Sequence, residues 1–309
     1  MDAAEEAQIK ATHAAALRSI DRVVTETAAP TPEEEAIEGI RGLLAQGQVL
    51  VLTGAGISTG SGIPDYRGPA GSLRDHRPMT YQEFRYDPAA RQRYWARSFV
   101  GWRQMNRAKP NTAHYLLTQL EEQGKLAGII TQNVDGLHTA AGSKEVLALH
   151  GDLSRIDCLA CGAQETRPSL DARLEEANPG YLQAIGSGPL EVNPDGDVAL
   201  DERLIRNFRM VGCLVCGSSQ LKPAVVYFGE PVPADRKARL AQLLTESKSL
   251  LVLGSSLAVM SSYRIALQAH RAGKPIAIIN QGPGRADKYA SYLWRQDVAQ
   301  GLYKLISED

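Results

Sequence analysis

The chain has 309 residues, 43% of them hydrophobic, enough to bury a full core in one or two domains. Its 34 basic and 35 acidic side chains leave a formal net charge of -1, which excludes a chain-wide basic footprint for nucleic acid. No apolar run approaches the roughly 18 residues of a membrane helix, so no membrane partner is expected.

Residues 1–29 carry apolar and alanine positions spaced by three and four and predict a helix, broken by Ala29-Pro30-Thr31-Pro32. Asp2, Glu5 and Glu6, with no apolar core beside them, fit neither a secretory signal nor a transit peptide, and a cytoplasmic protein is expected. Residues 1–32 are read as an extension, followed by an amphipathic helix over 33–45. Continuous apolar runs at 49–52, 127–130, 225–228, 250–253 and 276–279 predict buried parallel strands. Helical patterns at 112–123, 234–245 and 263–272 lie between them. Alternating strands and helices imply an α/β fold with a doubly wound parallel sheet of Rossmann-like type, built from residues 33–150 and 223–309. Such sheets bind ligands at the carboxyl ends of their strands. Residues 63–108, rich in Arg and Tyr, read as a helical and loop insertion in that domain. Residues 151–222, with the turn Asn193-Pro194-Asp195-Gly196-Asp197, read as an inserted small zinc-binding module.

The polar segments fall where the strands end. Gly54-Ala55-Gly56-Ile57-Ser58 follows the first strand. Its glycines suit close approach to a pyrophosphate, although Gly60 comes one position later than a Rossmann fingerprint requires, and a plain tight turn explains the pattern equally. Gly62-Ile63-Pro64-Asp65-Tyr66-Arg67-Gly68 presents an acid, a ring and a guanidinium suited to phosphate, or simply a solvated loop. Gln132, Asn133 and Asp135 follow the second strand and can bond an amide or a ribose, while Asn133 fits a helix N-cap as well. His150, in Leu149-His150-Gly151, has the ring chemistry for a base near neutral pH, against five other histidines, His13, His76, His114, His138 and His270. His114 sits in the first turn of a predicted helix and reads as structural.

The four cysteines form two Cys-x-x-Cys pairs, Cys158 with Cys161 and Cys213 with Cys216, and leave none over. Without a secretion signal this argues for metal rather than disulfides, and four thiolates close a tetrahedral structural zinc site. A redox dithiol is the alternative. Finally, the segment carrying Val225, Phe228, Gly229 and Glu230 and the segment Gly254-Ser255-Ser256-Leu257-Ala258-Val259 could hold an extended peptide between them, or be ordinary core strands with their turns.

Taken in order, Gly-Ala-Gly-Ile-Ser, Gly-Ile-Pro-Asp-Tyr-Arg, Thr-Gln-Asn-Val-Asp, Leu-His-Gly, the cysteine pairs, Phe-Gly-Glu, Gly-Ser-Ser and Ile-Asn resemble the sirtuin family over about residues 36–305. Arg91-Gln92-Arg93-Tyr94-Trp95-Ala96-Arg97 and Ser261-Ser262-Tyr263-Arg264 are similar to its class II branch. The resemblance implies an NAD-dependent protein-lysine deacylase with NAD as co-substrate, structural zinc and an acylated-lysine protein or peptide as partner. It places Gly54, Ala55, Gly56, Ile57, Ser58, Asp65, Tyr66 and Arg67 in the loop region around NAD. Gln132, Asn133 and Asp135 would line the nicotinamide and ribose pocket, with Asn133 and Asp135 joining His150 as catalytic residues. Gly254, Ser255, Ser256 and Asn280 would hold ribose and phosphate, with Gln281 and Val298 near the adenosine. Val225, Phe228, Gly229, Glu230, Leu257 and Val259 would contact the peptide. In the family's chemistry the acyl oxygen attacks the ribose carbon as nicotinamide leaves. The base then deprotonates a ribose hydroxyl, and free lysine and O-acyl-ADP-ribose result. Gly60, Tyr66 and Ala224 depart from the family's usual residues. Tyr94 and Arg97 have the Tyr-x-x-Arg spacing of desuccinylases but not their register, so no succinyl preference is read from them.

Two further readings compete. A mono-ADP-ribosyltransferase would use the same pocket, and a non-enzymatic NAD-binding scaffold would need no base. A zinc-ribbon nucleic-acid binder fits poorly, since residues 151–222 are acidic rather than basic.

Overall fold

The computed structural model describes residues 3–67, 77–185 and 193–307. Its nine strands are β1 (Val49–Thr53), β2 (Leu126–Thr131), β3 (Val146–Ala148), β4 (Gly151–Cys158), β5 (Gln164–Thr166), β6 (Leu221–Val225), β7 (Ser249–Leu253), β8 (Ile276–Ile279) and β9 (Tyr292–Trp294), counted among the described residues. The chain divides into two compact units. A sheet unit takes Asp21–Gly71, Ala108–Leu149 and Val232–Asp309, and a cysteine unit takes Met1–Ile20, Ser72–Arg107 and His150–Pro231.

The sheet unit holds six parallel strands in the order β3-β2-β1-β7-β8-β9. The chain runs outward from β1 to β3, then returns to the other side of β1 and runs outward again from β7 to β9. That reversal makes the β1–β7 border the topological switch point of a doubly wound sheet. The strands read as unbroken apolar runs because both faces are covered. On one face Val49, Val51, Leu251, Leu253, Ala277 and Ile279 pack with Ile40, Leu117 and Leu302 from the helices Glu33–Gln46, Thr112–Glu122 and Val298–Ile306. On the other, Leu50, Leu52, Leu250, Val252, Ile276 and Ile278 pack with Leu243, Ile265 and Ala269 from the helices Ala234–Glu246 and Met260–Arg271.

The cysteine unit is built on a three-stranded antiparallel sheet in the order β5-β4-β6. Here two expectations change. The run at 225–228 is not a strand of the parallel sheet: β6 lies antiparallel to β4, with Leu221 opposite Cys158, that ladder ends at Val225, and Phe228 makes only an isolated bridge to Thr80. An apolar run reports burial but not which sheet supplies the partner. Residues 72–107 also group with the cysteines rather than with the sheet unit, as does the N-terminal helix, which ends at Ile20 rather than near residue 29. Those residues include the helices Tyr81–Tyr86 and Pro88–Met105.

The centre of this unit is aromatic and cationic. Phe84, Tyr94 and Tyr227 pack ring against ring, and Trp95 packs on Tyr94 and donates its indole N–H to the Leu221 carbonyl at 2.9 Å. Arg167, fully buried, lies 5.2 and 5.0 Å from the rings of Trp95 and Trp102 and donates to the Ser98 hydroxyl and carbonyl, each at 2.9 Å. Burial pulls its guanidinium down to about 10, and ring faces and hydrogen bonds are what make a buried cation tolerable. Tyr94 is thus committed to the core, and Arg97 faces Asp197 at 3.8 Å.

Gly101 lets the helix Pro88–Met105 approach the turn at Gly196, since a Cβ there would collide with the Gly196 carbonyl oxygen and press on Val198 at 3.1 Å. A helical Gly→Ala change ordinarily gains about 1 kcal/mol, whereas forced overpacking costs about 1–3 kcal/mol. Gly101→Ala should therefore lower unfolding free energy by up to about 2 kcal/mol in urea titration, and a gain would show that this approach is not tight.

Candidate functional site

Three strand ends of the sheet unit meet at the switch point. Beyond Thr53 the chain turns through two short 3-10 turns, Ala55–Ile57 and Thr59–Ser61. Opposite, β7 ends in Gly254, whose φ of +59° only glycine adopts readily. The glycines serve this meeting directly: a Cβ on Gly54 would lie 2.7 Å from Ser255 Cβ, and one on Gly56 would lie 2.9 Å from Gly254 Cα. The tight-turn reading of Gly54 and Gly56 therefore holds, and both amides are spent inside it, Gly54 N on the Leu253 carbonyl and Gly56 N on the Gly254 carbonyl.

A polar network crosses the same border. Gln132 donates from Nε2 to Ser255 Oγ at 2.8 Å and to the Thr53 carbonyl at 3.3 Å. Asn133 donates from Nδ2 to the Gly54 carbonyl at 3.1 Å and to Ser58 Oγ at 3.0 Å. Ser58, fully buried, donates onward to Asp135 Oδ2 at 2.7 Å, whose other oxygen accepts the Leu137 amide at 2.9 Å. Gln132, Asn133, Asp135, Ser58 and Ser255 are thus brought together and held in place. Ile57 and Val298 instead turn their side chains into the core, leaving only backbone for a ligand, and Leu257 is likewise buried. Asn280, at the end of β8, spends its Nδ2 on the Gly282 carbonyl at 2.7 Å, and Gln281 is exposed. Asp65, Tyr66 and Arg67 lie in the loop after the second turn. Burial pulls the Arg67 guanidinium below its usual value, Tyr66 opposes this and Arg22 adds to it.

Asn111 is a positioning residue that the sequence reading passed over. Its Oδ1 accepts the Ala113 amide at 2.9 Å as a helix cap, while Nδ2 donates to the Ile57 carbonyl at 2.7 Å and Ser61 Oγ at 3.0 Å. The Asn-Thr-Ala-His order signals the cap; only the fold reveals that the same amide pins the glycine loop.

The histidines separate by environment. His114 and His138 pack edge to face at 4.8 Å, with His138 Nε2 3.0 Å from Thr53 Oγ1. Burial pulls His114 down to about 4, and burial with the His114 neighbour pulls His138 down to about 3, so both are neutral. His114 also completes a capping box with Asn111, as its structural reading required. His270 stacks on Tyr289 at 4.5 Å, and His13 meets Thr80. His76 lies outside the described residues. His150 is half-buried and opens the cysteine unit. The Leu149 amide before it donates to the Thr131 carbonyl at 2.9 Å, and its own carbonyl accepts the Val226 amide at 2.7 Å.

In the cysteine unit the four thiols converge, with all sulfurs within 4.8 Å of one another and pairs at 3.7 and 3.8 Å. Zinc–sulfur bonds of about 2.3 Å in a tetrahedron require sulfurs about 3.8 Å apart, so the set fits the metal. The two Cys-x-x-Cys-Gly loops are equivalent knuckles. Cys158 N donates to Ala163 O as Cys213 N does to Ser218 O, and Gly162 N to Cys158 O as Gly217 N does to Cys213 O, all at 2.8–2.9 Å. Gly162 and Gly217 take φ of +75° and +72°. The backbone amides of Cys216 and Val215 pull the Cys213 thiol down to about 7, whereas Cys161, although the Ala163 amide lowers it, is pushed up to about 12 by the thiols of Cys216, Cys158 and Cys213. Four protein ligands leave no open position, so zinc here would hold structure rather than activate water.

The Sir2 family model matches residues 54–261. The chain belongs to the Sir2 family. It is 60% identical to NAD-dependent protein deacetylase 1 of Corynebacterium efficiens, across 89% of this chain and 98% of that one. It is 45% identical to human mitochondrial sirtuin-4, an NAD-dependent protein lipoamidase, across 84% and 82%. A solved Sir2 complex with a p53 peptide and NAD+ superposes with a TM-score of 0.68 at 31% identity, across 87% and 97%.

Two predictions follow from this geometry in a Sir2 chain. Metal analysis should find one zinc per chain, and its removal by a strong chelator should lower the thermal midpoint by roughly 10 °C or more. Metal-free protein of full stability would overturn the structural assignment. For the histidine pair the folded pKa values lie below the ordinary 6.5, so the unfolded chain binds protons that the folded one refuses. Stability is then intact above about pH 6.5 and falls below it, by up to about 1.4 kcal/mol per pH unit for each ring. Urea midpoints should drop between pH 7 and pH 5, and a flat profile there would show the rings to be accessible.

Proposed function

We propose that the chain is an NAD-dependent protein-lysine deacylase that releases nicotinamide and O-acyl-ADP-ribose. The observation that carries this reading is the half-buried polar relay Asn133–Ser58–Asp135, with the separate Gln132–Ser255 bond beside it at the switch point, where doubly wound sheets take their ligands. A core needs no such relay, because every buried donor must be satisfied at a cost. Gly54 and Gly56 let the pyrophosphate approach the chain closely, Asn133 and Asp135 orient the nicotinamide and ribose, and Ser255 and Asn280 hold ribose and phosphate. His150 accepts a proton from a ribose hydroxyl. Two of the remaining histidines are ruled out for that step, because His114 and His138 are buried and strongly disfavour the added charge. The substrate side is an acylated lysine in an extended segment, taken by Phe228, Gly229 and Glu230. The relatives support this reading by name, being NAD-dependent protein deacetylases and a lipoamidase.

The test is mass spectrometry of the protein incubated with NAD and peptides bearing acetyl, longer fatty acyl, branched acidic acyl or lipoyl lysine. Nicotinamide and O-acyl-ADP-ribose should appear together, and the best peptide names the acyl group. ADP-ribose found on protein instead would transfer the assignment to a mono-ADP-ribosyltransferase. His150→Ala should lower kcat by at least about 10²-fold, the usual contribution of a general base, while NAD still binds. Full activity of that variant would remove His150 from the role.

A further inference from the structure

The N-terminal helix Ala3–Ile20 lies before the family match at residues 54–261, and no role described so far involves it. It nevertheless packs inside the cysteine unit. Ala16 and Ile20 are each only 3% exposed. His13 Nδ1 lies 3.0 Å from Thr80 Oγ1. Thr80 caps the helix Tyr81–Tyr86 through a capping box with Glu83, and its hydroxyl donates to Glu83 Oε2 at 2.8 Å. A threonine hydroxyl has one proton, so the proton between His13 and Thr80 comes from His13 Nδ1. The pairing thereby fixes which ring nitrogen is protonated.

Thr80 is in turn the bridge partner of Phe228. Next along, the Tyr81 amide donates to the Phe228 carbonyl at 2.9 Å and Gln82 Nε2 to the Gly229 carbonyl at 3.3 Å. Gly229 takes a φ of +85°, and a Cβ added there would lie 3.2 Å from Ala16 Cβ and 2.6 Å from Gln82 Oε1. The opposite flank of the same turn is held by Glu230, which accepts the Tyr227 amide at 2.9 Å and pairs with buried Lys222 at 3.0 Å. The Phe228–Gly229 turn is therefore clamped from two sides, and one jaw is the N-terminal helix acting through His13 and Ala16.

We propose that this helix is a positioning element for the substrate peptide, setting the Phe228–Gly229 turn through the His13–Thr80 bond and the Ala16–Gly229 packing. The proposal rests on the reading that this turn receives the acylated peptide. A turn held in its bound shape binds an extended segment without first paying to order itself, so loosening it weakens peptide capture and leaves NAD chemistry alone.

The test uses the full chain with three substitutions, His13→Leu, His13→Asn and Ala16→Leu. Asn offers an N–H near the place of Nδ1, and Leu at residue 13 offers none. His13→Leu should raise KM for the acyl-peptide about fivefold, the size of one lost hydrogen bond, with kcat and KM for NAD unchanged. His13→Asn should restore the original KM. Ala16→Leu, which pushes on Gly229 from the other contact, should raise the same KM. Amide hydrogen exchange at residues 228–230 should quicken in His13→Leu and Ala16→Leu alone. Unchanged exchange and unchanged KM in both variants would overturn the proposal. Quickened exchange with an unchanged peptide KM would also overturn it, because the clamp would exist without serving the peptide. A rise in KM for NAD or a fall in kcat, not rescued by Asn, would show a merely structural helix and overturn it too. If the unsubstituted chain turns over NAD without any dependence on acyl-peptide, the underlying peptide reading fails, a result distinct from each of these.

Discussion

Strand β1 is buried along its whole length and hydrogen-bonded on both edges, and the rest of the sheet unit is arranged around that constraint. Both of its faces must be apolar, so Val49 and Val51 serve one helical layer while Leu50 and Leu52 serve the other. At roughly 25 cal/mol per Å² such burial dominates the stability of a domain, and it leaves no room for chemistry along the strand itself. Chemistry is therefore pushed to the strand end. There β1 and β7 are followed by glycines because the two turns nearly touch, and the polar side chains of Gln132, Asn133 and Ser255 gather beside them.

The cysteine unit solves a different problem. Its three short strands cannot bury a large core, and the rings of Phe84, Tyr94, Trp95 and Tyr227 share the centre with buried Arg167 and Lys222. A buried cation is expensive unless paired, and Arg167 has Trp95, Trp102 and both oxygens of Ser98, with its Nε left unpartnered, while Lys222 has Glu230 and backbone carbonyls. Two matching cysteine knuckles bring together distant parts of the chain, β4 and the loop before β6, and zinc held there would cross-link them. With zinc bound, metal and charge pairing would replace some of what hydrophobic area provides in the sheet unit.

The polar relay and the glycine loop are braced by groups that are not themselves candidate ligand contacts. Asn111 ties a helix cap to the Ile57 carbonyl, and the neutral His114–His138 pair sits directly behind Thr53. Placing two uncharged imidazoles there keeps positive charge away from the relay near neutral pH. It also keeps them unsuited to proton transfer in that range. Pre-ordering of this kind spares a ligand the cost of organising the site around it.

Much of the molecule was legible because its signals are local. Apolar runs of four residues located β1, β2, β7 and β8, since both-face burial is written into consecutive side chains. Cys-x-x-Cys located the knuckles, because ligand spacing belongs to one short loop. The order of motifs identified the family. What the sequence could not supply depends on partners far along the chain. The run at 225–228 was apolar either way, and only long-range pairing with β4 made its first part antiparallel and left Phe228 and Gly229 in a turn. Asn111 read as a cap, and only tertiary contact gave its amide a second task. His138 lay in a motif beside candidate catalytic residues, and only its depth separated it from His150. Sequence alone determined β1, β2, β7 and β8, the candidate metal ligands and the family, because propensity, periodicity and spacing are properties of neighbours. Tertiary structure decided sheet membership, the protonation of the histidines and the packing of the N-terminal helix, because pairing and desolvation are set by residues that meet only after the chain has folded.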